Sequence, residues 1–114
     1  MENHDHSALL EKLLACVNAC ENCATACLNE LDVKPMVRCV SLDRDCADIC
    51  SLTARLLERN SEIAHQFLVL CEEICIMCAK ECDMHHHDHC QMCAEACRQC
   101  AEACHKHHQP ITQD

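Results

Sequence analysis

Apolar side chains recur every three or four positions along almost the whole chain, with Glu, Asp, Lys, Asn and Gln on many of the positions between. That period is the one an amphipathic helix needs; a half-buried strand would alternate at every second residue. Ala, Leu and Glu are frequent and β-branched runs are short, so intrinsic propensity points the same way. Breaks in the pattern predict helices at about residues 5–30, 35–59, 61–83 and 88–108. Asp5 or Ser7 can cap the first. Leu31 to Pro35 reads as a turn, with Pro35 tolerated in a first helical turn. Asn60 can take the left-handed position that Gly usually fills at a helix end, and Ser61 can cap the third helix. Asp88 and Gln91 make a capping-box-like start for the fourth, and Pro110 follows its end. Neither Gly nor Pro marks the break before helix 4, but one helix from Ser61 to His108 would far exceed the usual length of about 8–20 residues. Four helices with short connections predict an all-α, antiparallel, up-down-up-down four-helix bundle, a single domain over residues 1–114.

Much of the apolar stripe is cysteine. Helix 1 carries Cys16, Cys20, Cys23 and Cys27, and helix 3 carries Cys71, Cys75, Cys78 and Cys82, both spaced four, three, four. Helix 4 carries Cys90, Cys93, Cys97, Cys100 and Cys104. At 100° per residue each set stays within a stripe about 80° wide, the seam that a bundle helix turns toward its partners. Helix 2 has Cys39, Cys46 and Cys50, and the same spacing puts its missing member at position 43, where Asp43 interrupts the row. In an antiparallel bundle Cys27, Cys39, Cys82 and Cys90 share one end, while Cys16, Cys50, Cys71 and Cys104 mark the deep limit. At about 1.5 Å per residue the thiol column is on the order of 20 Å long. Below it the seam changes to Leu9, Leu13, Leu57, Ala64 and Phe67 or Leu68, so the expected shape is a tube closed at one end.

Composition narrows the function. The chain has 16 Cys and 10 His but no Gly, Trp or Tyr. Without Gly there is no phosphate-cradling or dinucleotide-binding loop. A formal charge of −10 excludes nucleic acid, whose affinity rests on Lys and Arg neutralising phosphate, and favours a metal cation. No segment approaches the 18 or so apolar residues of a membrane span, and the first twenty residues lack a basic region and an apolar stretch of the export type. The expected location is therefore the cytoplasm, where abundant Cys reads as metal-binding or catalytic. Geometry agrees, because helix neighbours three or four apart lie roughly 5–6 Å from each other, too far for an easy disulfide.

Cysteine can also pack as a small hydrophobe, but sixteen in phase on four helices point to ligands. Thiolate selects Cu(I) or Zn²⁺ among first-row ions, and linear two-sulfur coordination suits Cu(I). With metal–sulfur bonds of about 2.3 Å a linear bridge spans about 4.6 Å, within reach of helix neighbours. Sequestration of Zn²⁺ or Cd²⁺ on the same thiols is the alternative. An iron–sulfur cluster would need four ligands converging from adaptable backbone. A thiol oxidoreductase would need an accessible, low-pKa Cys, and Cys90 to Cys93 comes closest. Uncompensated thiolate charge is costly in a core, so neutrality argues for roughly one Cu(I) per Cys. His85, His86, His87 and His89, with Met36 and Met84, lie at the thiol-bearing end and could pass ions inward. His4, His6, His105, His107 and His108 belong to the other end, where weak surface metal binding is the expected role. His65 reads as an interfacial residue of the plugged half, and Met77 and Met92 as packing.

Asp45 to Cys50 (DCADIC), Cys71 to Cys82 (CEEICIMCAKEC) and Cys90 to Cys104 (CQMCAEACRQCAEAC) resemble the copper storage protein family in its cytosolic bacterial branch. The N-terminal ACVNACENCATAC is in register too, so the resemblance covers nearly the whole chain. It implies a homotetrameric four-helix bundle that stores many Cu(I) ions on all 16 Cys, with His or Met at the open end and no enzymatic activity. Copper ions are then the expected partners, exchanged with donor and acceptor proteins that the residues do not name. Two features depart from the family pattern: the loop between helices 1 and 2 has no Gly, and Asp43 breaks a Cys row.

Overall fold

The computed structural model describes residues 6–108, which leaves His4, Asp5 and Pro110 outside it. Four helices follow one another: α1 (Ser7–Leu28), α2 (Val37–Glu58), α3 (Ala64–Asp83) and α4 (Asp88–His108), with one 3-10 turn at Lys34–Met36 leading into α2. Helix α1 packs against α2 and α4, and α3 packs against the same two, so the helices stand at the corners of a square in up-down-up-down order.

Local chemistry sets the boundaries. The first helix stops at Leu28, short of residue 30, because the chain tightens: the Asn29 and Glu30 N–H groups donate to the carbonyls of Ala26 and Cys27 at 3.1 and 3.2 Å. At the end of α2, Asn60 has φ 53°. Around it the Ser61 N–H donates to the Leu56 carbonyl and the Asn60 N–H to that of Leu57, at 2.9 and 3.0 Å, which is a Schellman ending built on Asn in place of Gly. Ser61 does not begin the next helix directly. Its hydroxyl accepts from the Ile63 N–H at 3.3 Å within a turn, and α3 starts at Ala64. The expected capping box of α4 is also different. Gln91 Nε2 reaches past Asp88 to the His85 carbonyl at 2.7 Å, and Asp88 lies inside the first turn, where its charge complements the helix dipole.

The core changes character along its length. All sixteen Cys are fully buried, at 0% exposure. Small residues, Ala24, Ala47, Ala79, Ala94 and Ala101, lie buried beside them and let the helices approach closely. Beyond the thiols, Leu9, Leu13, Leu56, Leu57 and Leu68 form an apolar floor, with Phe67 partly buried at its edge. Each fully buried Leu contributes on the order of 1.5–3 kcal/mol. Thr53, the last polar residue above this floor, donates its hydroxyl to the Ile49 carbonyl at 2.7 Å. Met77 and Met92 project to solvent instead of packing, as do Leu14, Val69, Leu70 and Ile76. Among the described residues no helix is long and apolar enough to cross a membrane.

Because protonated Cys packs as a small apolar side chain, folding needs no metal. Circular dichroism of the reduced, metal-free chain is expected to show a helical protein. A coil that becomes helical only with copper would contradict a preformed column.

Candidate metal centre

The four-three-four spacing returns each thiol to the same side of its helix, and antiparallel packing turns all four sides to one axis. Sulfurs from different helices then meet at van der Waals range. Cys50 and Cys71 are 3.4 Å apart, Cys39 and Cys82 3.5 Å, and Cys16 stands 3.7 Å from both Cys46 and Cys97. Along a single helix the neighbours are 3.8–4.0 Å apart, as between Cys46 and Cys50 or Cys93 and Cys97. All sixteen are free thiols.

These contacts build overlapping quartets whose sulfurs all lie within 4.8 Å of one another. Nearest the open end are Cys23, Cys27, Cys39 and Cys90. Deeper come Cys20, Cys78, Cys93 and Cys97, then Cys16, Cys20, Cys46 and Cys97. Cys16, Cys46, Cys50 and Cys75 follow, and then Cys50, Cys71, Cys75 and Cys100. Successive deep quartets share members, so the sulfurs form a continuous column that ends beside Cys104. Two sulfurs bound to one ion at about 2.3 Å stand about 4.0 Å apart in trigonal geometry and about 4.6 Å in linear geometry. The column therefore matches two- and three-sulfur coordination after small side-chain adjustments.

Asp43 occupies the gap in the helix 2 row and is fully buried. Cys78, Cys93 and Cys82 donate to its Oδ1 at 3.1, 3.3 and 3.5 Å, and Cys39 donates to Oδ2 at 3.9 Å. Burial, reinforced by Cys93 and Cys78, pushes its carboxyl up to about 10, so it sits in the column as a neutral acid at pH 7. Burial likewise raises the thiol of Cys27 and pushes that of Cys90 up to about 11.

At the open end the anticipated histidines divide. His89 Nδ1 lies 3.5 Å from Cys23 Sγ, 3.6 Å from Cys90 Sγ and 4.0 Å from Cys27 Sγ, which joins it to the outermost quartet. Its Nε2 is 2.9 Å from Glu30 Oε2. The His87 ring stacks on it with centroids 5.2 Å apart and also reaches Glu30, at 3.4 Å. His85 Nε2 lies 2.9 Å from Glu81 Oε2, whose other oxygen is 3.2 Å from Arg38. Met36 is buried, whereas Met84 is 66% exposed and His86 also faces solvent. With His85, His87 and Glu30 they line an open recess of about 320 Å³.

Two carboxylates that hold these imidazoles escaped the sequence reading. Glu81 carries a local signal, since it stands four residues before His85 across the end of α3. Glu30 has none, because His89 reaches it from 59 positions further along the chain. At the other end the ring of His65, on α3, meets that of His108, on α4, edge-on, and the side chain stays exposed.

The sequence profile of the copper storage protein family matches residues 2–109. The uncharacterized cysteine-rich protein YhjQ of Bacillus subtilis (strain 168) is 43% identical over 84 residues, which cover 74% of this chain and 78% of YhjQ. Among solved structures, Cu(I)-bound copper storage protein BsCsp3, of Bacillus subtilis, has a TM-score of 0.86 at 42% identity, covering 89% of this chain and 95% of its own. A cytosolic copper storage protein from Streptomyces lividans, carrying five coppers, has a TM-score of 0.86 at 38% identity, over 91% of this chain and 92% of its own. The in-phase cysteine stripes, the helix order and a profile match spanning nearly every residue agree: the chain belongs to the copper storage protein family.

Proposed function

We propose that this chain is a cytoplasmic store that holds many Cu(I) ions, roughly one per Cys, on all sixteen thiols and catalyses no reaction. The observation that carries the reading is the column of buried sulfur in which the deep quartets share members. A monovalent ion that replaces one thiol proton leaves the charge of the core unchanged. Zn²⁺ does not: four ions in four-thiolate sites would leave about −8 on sixteen thiolates. Charge balance thus favours Cu(I) over Zn²⁺ or Cd²⁺ sequestration. Burial works against a thiol oxidoreductase, because Cys90 and Cys93 are fully covered and Cys90 is raised to about 11.

Ions enter at the end bearing His85, His86, His87 and His89. Nδ1 of His89 already contacts three thiols, and Glu30 and Glu81 hold the imidazoles in place. Met36 and Met84 add thioether sulfur to the same end. The family resemblance supports assembly as a homotetramer, and the exposed Leu14, Val69, Leu70, Ile76 and Met92 supply apolar surface for it.

Anaerobic titration of the reduced chain with Cu(I) against a competing chelator is expected to saturate at about sixteen ions, one for each Cys. Saturation near half that number would mean isolated thiol pairs, and tight binding of Zn²⁺ with few Cu(I) would remove copper storage as the function. Replacing His85, His86, His87 and His89 together by Ala should slow Cu(I) uptake in stopped-flow measurements while leaving capacity nearly intact. Unchanged kinetics would make them an ordinary solvated loop. Asp43→Cys fills the gap in the helix 2 row, and its capacity should rise by about one ion in the same chelator titration; an unchanged capacity would show that position 43 does not face the bound ions.

A further inference from the structure

A second cluster of metal-binding side chains stands at the far end of the bundle, outside the thiol column. In the last turns of α4, His105 and His108 are three residues apart, and both face Glu72 of α3. His105 Nδ1 lies 3.0 Å from Glu72 Oε2, and His108 Nε2 lies 2.5 Å from Oε1. The ring of His65, two turns before Glu72, meets the His108 ring edge-on with centroids 5.9 Å apart. His108 and Glu72 are partly shielded from water, with side chains 16% and 20% exposed, while His105 is 53% exposed on the solvent side. The two histidines are the ion-pair partners of Glu72, so a cation could take the position between them without displacing a Lys or Arg.

The donors differ in kind from those of the column. Imidazole nitrogen and carboxylate oxygen suit borderline divalent ions such as Zn²⁺, whereas thiolate draws Cu(I). In a tetrahedral Zn²⁺ site with bonds of about 2.0–2.1 Å, adjacent donors stand about 3.3 Å apart, so the present separations need to open by less than about 1 Å. The helix itself keeps the two chemistries apart: Cys104 turns into the core beside Cys100 and Cys71, while His105, the next residue, turns out to Glu72.

We propose that Glu72, His105 and His108, with His65 as a further donor in reach, form a divalent-cation site of the Zn²⁺ class that clamps α3 to α4 at the closed end. The chain is first filled with Cu(I) and its copper content measured, so that a failure of storage is recorded separately. Zn²⁺ alone is then titrated in anaerobically while the imidazole nitrogens are followed by ¹H–¹⁵N NMR. This readout resolves single residues, so excess Zn²⁺ added to the reduced, copper-free chain reports on the cluster even if storage fails. The expected result is about one Zn²⁺ per chain, moving the His105 Nδ1 and His108 Nε2 resonances together. His105→Ala/His108→Ala should abolish that equivalent, and Glu72→Gln should weaken it at least tenfold. His107→Ala, whose ring contacts His6 at 3.1 Å on another face, should leave it unchanged. Missing shifts, shifts confined to His85 through His89, or equal affinity in the double variant would overturn the proposal.

Discussion

Everything in this molecule depends on keeping a column of sulfur dry and uncharged between four helices. Cysteine is small, so a core made of it fills only when the helices approach closely. The buried Ala24, Ala47, Ala79, Ala94 and Ala101 permit that approach. A thiol is also a weak donor and weak acceptor, which lets neighbours satisfy one another without water. Polar groups that intrude are absorbed in the same way. Asp43 receives four thiol contacts, Thr53 bonds back to its own helix, and Glu81 is held by Arg38 and His85. Each buried polar group has a partner, as a packed interior requires.

The two ends of the column are chemically opposite. At one, His89, backed by Glu30, touches the outermost sulfurs and Glu81 holds His85; at the other, leucines close the seam. A carboxylate behind an imidazole fixes which ring nitrogen points at the thiols, the same arrangement that orients histidine ligands in metal sites generally. The bundle thereby couples a polar approach, a soft interior and an inert base along one axis, and the order of residues on each helix is the order of these zones.

That order was legible because it is periodic. The spacing of Cys16 to Cys27 and of Cys71 to Cys82 fixes both the helices and the face they turn inward. Asp43 announced itself by occupying a place in the same period. What the period does not encode was not legible. Glu30 meets His87 and His89, and Glu72 meets His105 and His108, through pairings that exist only once the helices are side by side. Helix ends were read less well than helix faces. Asn60 does adopt the left-handed backbone at the end of α2, but the start of α3 moves to Ala64 because Ser61 spends its hydrogen bonds on a turn. Gln91, whose spacing from Asp88 suggested a mutual cap, reaches the His85 carbonyl because the preceding loop brings that oxygen closer.

The leucine floor makes the column a blind shaft. On the proposed route through the His-bearing end, whatever lies beside Cys71 or Cys104 has travelled past Cys27 and Cys90, and it must pass them again to leave. Filling and emptying are therefore tied in sequence, with the latest arrival first in line to depart. The quantity of metal a chain contains and the quantity it can surrender promptly become separate properties, the first set by the number of sulfurs and the second by the few that border the opening.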